Sequence, residues 1–471
     1  MGAHTAERDS RLSFWLRVRE FAVPPSMIVT ATARRLSGDW AGACAAAHID
    51  VDLDLRSVAR IRGGELAARL RNDLRHLAPD LLRWHMPRIA PDGLLRPGLT
   101  LTLARYDAAG PDGAGPVHLV ARTPPAWADA GQRFSIALWD GSRSGPDAPA
   151  GIRHHPHPGP HRRFRLDLHR HLWDVRSTDA LPTRSGADRP PTDRGCDSGP
   201  ELPGVGPWRH HCPVDRWAAE ADILLRGEGR PAGAVTVRLG ARRRLVLNLR
   251  PDDDGTGRPA RLRSATATDG SVSSLPVLPE AATWTLPDLA LLRAGLVEAG
   301  RLHPLVASAL VPDRSPTGSP VATEQPDGSQ VVECRGAQHR IGLVDGVLTP
   351  LDHDPSEIRR EELLAALSGT PLPCLQAIDR AHLKPECLAG VRERLDHGDN
   401  AGALAAVESL LGPEAVLRSG ALRDELEAAA QRRITHKLFR EGLVGAGPRR
   451  DHPKRRRSPD HRSHPRDATF Y

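Results

Sequence analysis

Leucines recur at intervals of three and four residues in the first clear amphipathic stretch of the chain, which places them on one face of a helix. They are Leu66, Leu70, Leu74, Leu77 and Leu81. Pro87 and Pro91 end this pattern, because proline removes a backbone donor. An earlier helical segment opens at Pro24 and Pro25, which suit a first turn. The chain is therefore predicted to begin with packed helices.

Beyond Pro91 the apolar period changes to two, as in half-buried strands. The segments 99–103, 117–121 and 134–138 each alternate in this way, and a Gly- and Pro-rich turn separates the first two. We predict that they form a three-stranded meander.

The rest of the chain mixes both periods. A helix is predicted at 214–225, a hairpin at 235–249 and helices at 287–310. A second meander covers 331–351 and contains the hairpin dipeptide Asp345-Gly346, and helices continue to about residue 444. This order predicts an α+β fold, in which helix hairpins combine with short antiparallel meanders.

Stretches rich in glycine and proline divide the chain into predicted domains. Glycine and proline contribute 43 residues each to the 471, which is too few for a wholly disordered chain. The predicted parts are an N-terminal helical and β-meander domain at 10–140, a Pro/Gly/His-rich linker at 141–207, a central α+β segment at 208–310, a linker at 311–329, a β-meander and helical domain at 330–445, and a disordered basic tail at 446–471.

One nine-residue segment occurs twice with seven identities, as GDWAGACAA at 38–46 and GDNAGALAA at 398–406. Gly38 and Gly398 fit the end of one helix, and Asp39 and Asp399 fit the N-cap of the next. Each segment is predicted to form a helix hairpin, the unit of helical-repeat proteins. Chance similarity in an Ala- and Gly-rich chain is the alternative, so true repetition stays open.

Positive charge is concentrated in the tail. Residues 446–471 account for five of the seven net charges, so the remaining chain is nearly neutral. The candidate polyanion-binding residues are Arg449, Arg450, Lys454, Arg455, Arg456 and Arg457. Such a cluster could contact nucleic acid. A merely solubilising tail is the alternative, because no aromatic side chains are interleaved for base stacking.

The motifs of common enzymes are absent. None of the three lysines follows glycine or precedes serine or threonine, which excludes a P-loop. The sequence contains no GxGxxG, GxSxG, HExxH or paired CxxC motif,. A non-enzymatic protein is the preferred prediction, and an enzyme with an unrecognised His/Asp/Cys site is an alternative.

Three groups of histidines and cysteines contain side chains that can bind a metal ion. The first is a proline-interrupted run of His154, His155, His157, His161, His169 and His171, and the second is His210, His211 and Cys212. The third, Cys374 with His382 and Cys387, lacks the short cysteine pair of a zinc site. The run has no fixed helical spacing, adjacent side chains in the second group point apart, and core thiols beside a surface histidine explain the third. No metal and no cofactor is therefore predicted.

The triplet Asp352-His353-Asp354 places a histidine beside two aspartates, as a catalytic His/Asp pair would require. The residues that follow it are Pro355, Ser356 and Glu357. Asp354 fits an N-cap, proline the first helical position and Glu357 the third position of a capping box. A helix start is therefore the preferred interpretation.

Several stretches resemble a family of conserved actinobacterial proteins without an assigned activity. They are LPVLPEAATWTLPDLALLRAGL at 275–296, HRIGLVDGVL at 339–348, DHDPSEIRREELLAAL at 352–367 and GTPLPCLQAID at 369–379. This resemblance implies a cytoplasmic protein and carries no catalytic residues. The polar N-terminus and the absence of a long apolar run also predict a soluble cytoplasmic protein with no membrane contact.

These observations predict an accessory protein that binds an unidentified protein partner through helix-hairpin surfaces. The alternatives are a nucleic-acid-associated factor acting through the basic tail and the unrecognised enzyme. The sequence indicates neither the partner nor the oligomeric state.

Overall fold

A computed structural model describes residues 11–107, 115–141, 155–188, 212–240, 243–249, 260–265, 274–312, 330–334, 336–344, 347–368, 372–377, 388–411 and 420–443. The fold is α+β, which confirms the predicted class. The chain divides into two compact units. The first comprises Met1–Trp127, Arg133–Thr317 and Phe439–Tyr471, and the second comprises Ala128–Gln132 and Gly318–Leu438. The predicted central segment 208–310 thus belongs to the same unit as the N-terminal residues.

The first unit contains a four-stranded mixed sheet. Its strands are β1 (Ile49–Asp52), β4 (Thr100–Tyr106), β5 (Val117–Arg122) and β6 (Phe134–Trp139), and a short hairpin of β2 (Arg88–Ile89) and β3 (Leu94–Leu95) precedes β4. The order is β1-β6-β5-β4, with β1 parallel to β6 and the other pairs antiparallel. The meander β4-β5-β6 covers the segments predicted from their alternation. Strand β1 was not predicted, because four residues carry too short a pattern.

The N-terminal part of the first unit is mainly helical. They are α1 (Pro25–Leu36), α2 (Trp40–Ala46), α3 (Leu55–Arg62), α4 (Gly64–His76) and α5 (Pro79–Trp84). The leucine stretch predicted as one element is split, because Pro79 occupies the first turn of a new helix,. Leu70, Leu74 and Leu81 are nevertheless all fully buried, as their spacing predicts.

Residues 155–188 pack into the core of the first unit, although they lie within the predicted linker at 141–207. They form short 3₁₀ turns at Leu166–Leu168, Arg170–Leu172 and Val175–Ala180, followed by α6 (Leu181–Ser185). Phe164, Leu172 and Trp173 belong to the buried apolar cluster of this unit. Residues 142–154 and 189–207 of the predicted linker lie outside the described residues.

The remainder of the first unit is built on a second sheet. The elements are α7 (Trp217–Gly227), β7 (Gly233–Arg238), β8 (Arg244–Leu249), β9 (Ala260–Ala265), α8 (Glu280–Thr283), α9 (Pro287–Arg293) and α10 (Pro304–Leu310). The strands are antiparallel in the order β7-β8-β9. Trp217 and Leu225 of α7 are buried in one apolar cluster with Val235 and Leu247 of the sheet.

The second unit combines a meander with helices. Its elements are β10 (Gln330–Cys334), β11 (Ala337–Val344), β12 (Val347–Pro350), α11 (Pro355–Ser368), a helical turn at 373–377, α12 (Leu388–His397), α13 (Asn400–Leu411) and most of α14 (Ala421–Glu441). The antiparallel sheet has the order β10-β11-β12. Val391, Leu395, Val407 and Leu422 join the helices in one core. No helix in the described ranges has both the length and the apolar character needed to cross a bilayer.

The two repeated segments have the same local structure. Gly38 adopts a left-handed φ of 80° between α1 and α2, and the Asp39 carboxylate accepts a hydrogen bond from the Gly42 amide at 2.8 Å. Arg34 donates to that carboxylate at 2.9 Å. A Cβ on Gly42 would lie 2.0 Å from Asp39 Oδ2, so a larger residue there would require the Asp39 side chain to move. The corresponding residues between α12 and α13 are Gly398, Asp399, Gly402 and Arg394.

Candidate metal centre

Four side chains from separate elements of the second unit converge on one point. They are Cys334 of β10, His339 of β11, His353 before α11 and Cys374 of the helical turn 373–377. One potential ligand atom from each lies within 4.8 Å of those of the other three. No other such group of three or more His, Cys, Asp or Glu residues occurs among the residues that the structure describes.

The hairpin register brings the first two ligands together. Val332 pairs with His339 across the antiparallel strands, and Cys334 pairs with Ala337. Because side chains alternate between the faces of a sheet, Cys334 shares a face with Val332 and hence with His339. The two ligands are therefore diagonal neighbours on one face of the sheet, a relation that holds only in this register.

The start of α11 positions the third ligand. Asp354 accepts a hydrogen bond from the Ser356 amide at 2.7 Å, as expected for a capping residue in front of Pro355. His353 directly precedes this cap, and its Nδ1 lies 3.5 Å from the Glu357 carboxylate. A carboxylate behind a histidine is the usual support that orients a metal-ligating imidazole.

The interatomic distances suit a compact four-ligand site. His339 Nδ1 lies 2.6 Å from His353 Nε2, and Cys374 Sγ lies 3.5 Å from the same nitrogen. Ligand atoms around tetrahedral zinc are roughly 3.3–3.8 Å apart, given bond lengths of about 2.0 Å to nitrogen and 2.3 Å to sulfur. The sulfur–nitrogen distance already falls in this range. The two imidazoles would need to separate by less than about 1 Å.

The two thiols of the site are held away from water, while His339 and His353 are half-buried residues. Cys334 and Cys374 have no exposed surface, and the His353 side chain is 4% exposed. Burial, followed by the neighbouring Cys334, raises the pKa of the Cys374 thiol to about 11. Without a cation the thiol therefore stays protonated, and metal binding would release that proton.

A catalytic role for the thiol fits this geometry poorly. A nucleophilic cysteine needs an accessible sulfur and a lowered pKa. Cys374 faces the His353 imidazole, but it is fully buried and its pKa is raised. Two thiolates with two imidazoles form instead the donor set of structural zinc sites, in which all four positions come from the protein.

Two of these four residues are candidates in the sequence analysis, but in different roles. His353 was assigned to a helix start and Cys374 was grouped with His382 and Cys387, which lie outside the described residues. Cys334 and His339 were not singled out. Their separation by four residues across a predicted hairpin, with Gly336 at the turn, is the signal that could have identified them.

The other sequence candidates lie elsewhere or outside the described residues. Within the histidine run, His155 Nε2 contacts the Thr123 carbonyl at 2.9 Å. His169 Nε2 contacts the Glu220 carboxylate at 3.1 Å. Cys212 is buried in the first unit, while His154, His210 and His211 are not described. The tail candidates at 449–457 also lie outside the described residues.

Comparison with known proteins adds no assignment: no family model, no curated protein and no solved structure matches the chain. The resemblance to an actinobacterial family therefore stays a prediction.

Proposed function

We propose that this protein is a non-enzymatic interaction protein whose second unit is held together by a structural zinc ion. The observation that carries the proposal is the convergence of Cys334, His339, His353 and Cys374 within 4.8 Å. A set of two sulfur and two nitrogen donors favours zinc over the hard cations calcium and magnesium, which prefer oxygen ligands.

A structural rather than catalytic metal is supported by the completeness of the ligand set. Catalytic zinc sites keep one coordination position open for water or substrate. Here four protein side chains are close enough to supply all four ligands, and both cysteines are buried. A zinc ion in this place would join the hairpin β10-β11 to the start of α11 and to the turn 373–377, and would stabilise these elements against unfolding.

The experiment is a measurement of metal content on the full chain, purified without chelators from zinc-supplemented medium. We expect about one zinc per chain. Cys334→Ser and Cys374→Ser should each lose most of that zinc, while His353→Asn tests the imidazole. Cys44→Ser is the matched control, because Cys44 is equally buried but lies in the first unit, outside the cluster.

Hydrogen exchange then tests the structural role. Removal of zinc should increase exchange of the amides in β10, β11 and the turn 373–377 and leave those of β4–β6 unchanged. A protein that binds no zinc, or whose zinc content does not respond to Cys334→Ser and Cys374→Ser, would contradict the proposal.

The interaction role is tested separately by affinity purification from the native cell. Proteins that co-elute with the wild type and with Cys44→Ser, but not with Cys374→Ser, are expected if the zinc-stabilised unit forms the binding surface. Equal recovery with all three baits would place the interaction outside the second unit.

A further inference from the structure

The candidate metal centre contains two thiols that are close enough to react with each other. The sulfur atoms of Cys334 and Cys374 belong to the group of ligand atoms that all lie within 4.8 Å of one another. The two side chains are also hydrogen-bonded to each other, and neither is part of a disulfide in the structure. The geometry that lets both sulfurs share one cation therefore also makes them a cysteine pair.

A bond between these sulfurs requires a movement of side-chain size. A disulfide bond is about 2.05 Å long, so two sulfurs within 4.8 Å must approach each other by less than about 3 Å,. Rotation of one cysteine side chain between staggered positions moves its sulfur by about 3 Å. The strand β10 and the turn 373–377, which carry the two cysteines, can thus keep their backbone arrangement.

Metal binding would make the buried sulfurs reactive towards an oxidant. Zinc binds cysteine as the thiolate, and the thiolate is the form that is oxidised. Cys334 and Cys374 have no exposed surface, whereas His339 and His353 are only half-buried, so the site is not closed to a very small molecule. Hydrogen peroxide is an oxidant of that size, and we expect its reaction here to be slow because exposure is low.

We propose that Cys334 and Cys374 form a redox pair, and that oxidation by hydrogen peroxide replaces the zinc ion with a disulfide between them. The displaced zinc rests on the proposed function, whereas the disulfide depends only on the two neighbouring thiols. The site would then hold zinc in a reducing environment and release it in an oxidising one.

The reaction is a two-electron oxidation in two steps. One thiolate attacks hydrogen peroxide, the O–O bond breaks, and a sulfenic acid and a hydroxide ion are formed. The second thiolate attacks the sulfenic sulfur, the S–O bond breaks, and a second hydroxide leaves as the disulfide forms. The two sulfurs together lose two electrons, and two protons from the solvent convert the hydroxide ions to water. A dithiol such as dithiothreitol returns the two electrons.

The oxidised and reduced states would differ in the elements that they link. The disulfide joins β10 to the turn 373–377, as the zinc ion does. His339 of β11 and His353 before α11 are then the only two of the four residues that can still bind zinc, and two ligands are too few for a structural zinc site. Oxidation therefore releases β11 and the start of α11 from the shared ion.

The test treats the zinc-loaded full chain with hydrogen peroxide. A chromogenic chelator measures the released zinc, and mass spectrometry examines the tryptic peptides 315–335 and 361–380, each of which contains one cysteine of the pair and no other cysteine. We expect release of about one zinc per chain and a disulfide between the two peptides. Dithiothreitol with added zinc should reverse both changes. Cys44 and Cys212, buried in the first unit, should stay reduced.

Two variants separate the disulfide from the zinc site. The double variant His339→Ala/His353→Ala lacks both imidazoles and should lose zinc, but it keeps both thiols and should still form the disulfide, more slowly than the zinc-loaded wild type. Cys44→Ser is the matched control and should behave as the wild type.

The outcomes distinguish the two proposals. A protein that contains zinc but forms no link between Cys334 and Cys374 would overturn the redox pair and leave the zinc site standing. A protein that is purified without zinc but forms this disulfide would contradict the zinc site and support the redox pair. Linkage of Cys374 to a different cysteine, or oxidation that dithiothreitol does not reverse, would also overturn the redox pair.

Discussion

The carboxylate of Glu220 offers a sharp test of the electrostatics of the first unit. It projects from α7, is 3% exposed and accepts hydrogen bonds from Arg184 Nε at 2.5 Å and Nη2 at 2.6 Å. His169 Nε2 lies 3.1 Å away. Burial alone would raise the pKa of Glu220, but His169 and Arg184 outweigh burial and lower this pKa to about 2.

This shift has a definite sign and size. A carboxylate whose pKa is lower in the folded state stabilises the fold above its unfolded pKa of 4.5, and this contribution is lost as the pH falls towards 2,. A shift from 4.5 to about 2 corresponds to about 3 kcal/mol, since one unit is about 1.4 kcal/mol. Glu220→Gln removes this term and leaves Arg184 without its counter-charge, at a cost of about 3–5 kcal/mol near neutral pH.

The assay is urea unfolding of the wild type and of Glu220→Gln at a series of pH values from about 6 down to 2.5. Tryptophan fluorescence reports the correct part of the chain, because all nine tryptophans fall within the ranges of the first unit. The stability difference between the two proteins should shrink by about 2.5 kcal/mol over this window, because part of the contribution remains at pH 2.5. Glu298→Gln, at an exposed position, should leave the pH profile unchanged. A constant difference between wild type and Glu220→Gln at every pH would refute this account.

Three further predictions test other parts of the chain. Asp39→Ala should lower the melting temperature of the first unit by about 2–4 °C, because alanine removes the helix cap, whereas Asp39→Asn should largely preserve it. Calorimetry measures both variants, and equal melting temperatures would contradict this prediction. Cys44 should resist iodoacetamide at pH 8 in the native protein and react in urea, because burial and then Asp39 raise its pKa to about 12,; peptide mapping by mass spectrometry decides. Deletion of residues 446–471 should remove salt-sensitive retention on immobilised DNA or RNA if the tail binds polyanions, and unchanged retention would reject that role.

The features of the fold that the sequence predicts correctly are those encoded by residues close together in the chain. The leucine spacing, the two meanders and the repeated GD segments each depend on residues close in the chain, where periodicity and capping chemistry act directly. The segment 155–188 carries no such signal, because its 3₁₀ turns are too short to show a period. Its charges resemble those of a linker, yet Arg170 and Arg176 both donate to the buried Asp73 carboxylate at 2.6 Å.

The candidate metal centre could not be predicted from such local patterns. Its ligands come from two strands, a helix start and a separate turn, so their proximity depends on strand register and on tertiary packing. Because His382 and Cys387 lie near Cys374 in the sequence, these three residues form the more obvious group of ligands. The register that places Cys334 beside His339 is set by a short hairpin, and the sequence alone did not indicate which residues share its inner face.

The apolar cluster beside the candidate metal centre bears on what a bound zinc ion would contribute. Among the described residues, the apolar cluster under β10 and β11 consists of Ile341, Leu372, Leu375 and Ala377 together with Cys334 and Cys374 themselves. The first unit, by contrast, buries a large cluster that includes Phe134 and Trp173. A small core supplies little net stability against the entropy of an ordered chain. Cross-linking by zinc provides free energy that small cores lack, and here it would join the elements that contribute to this cluster.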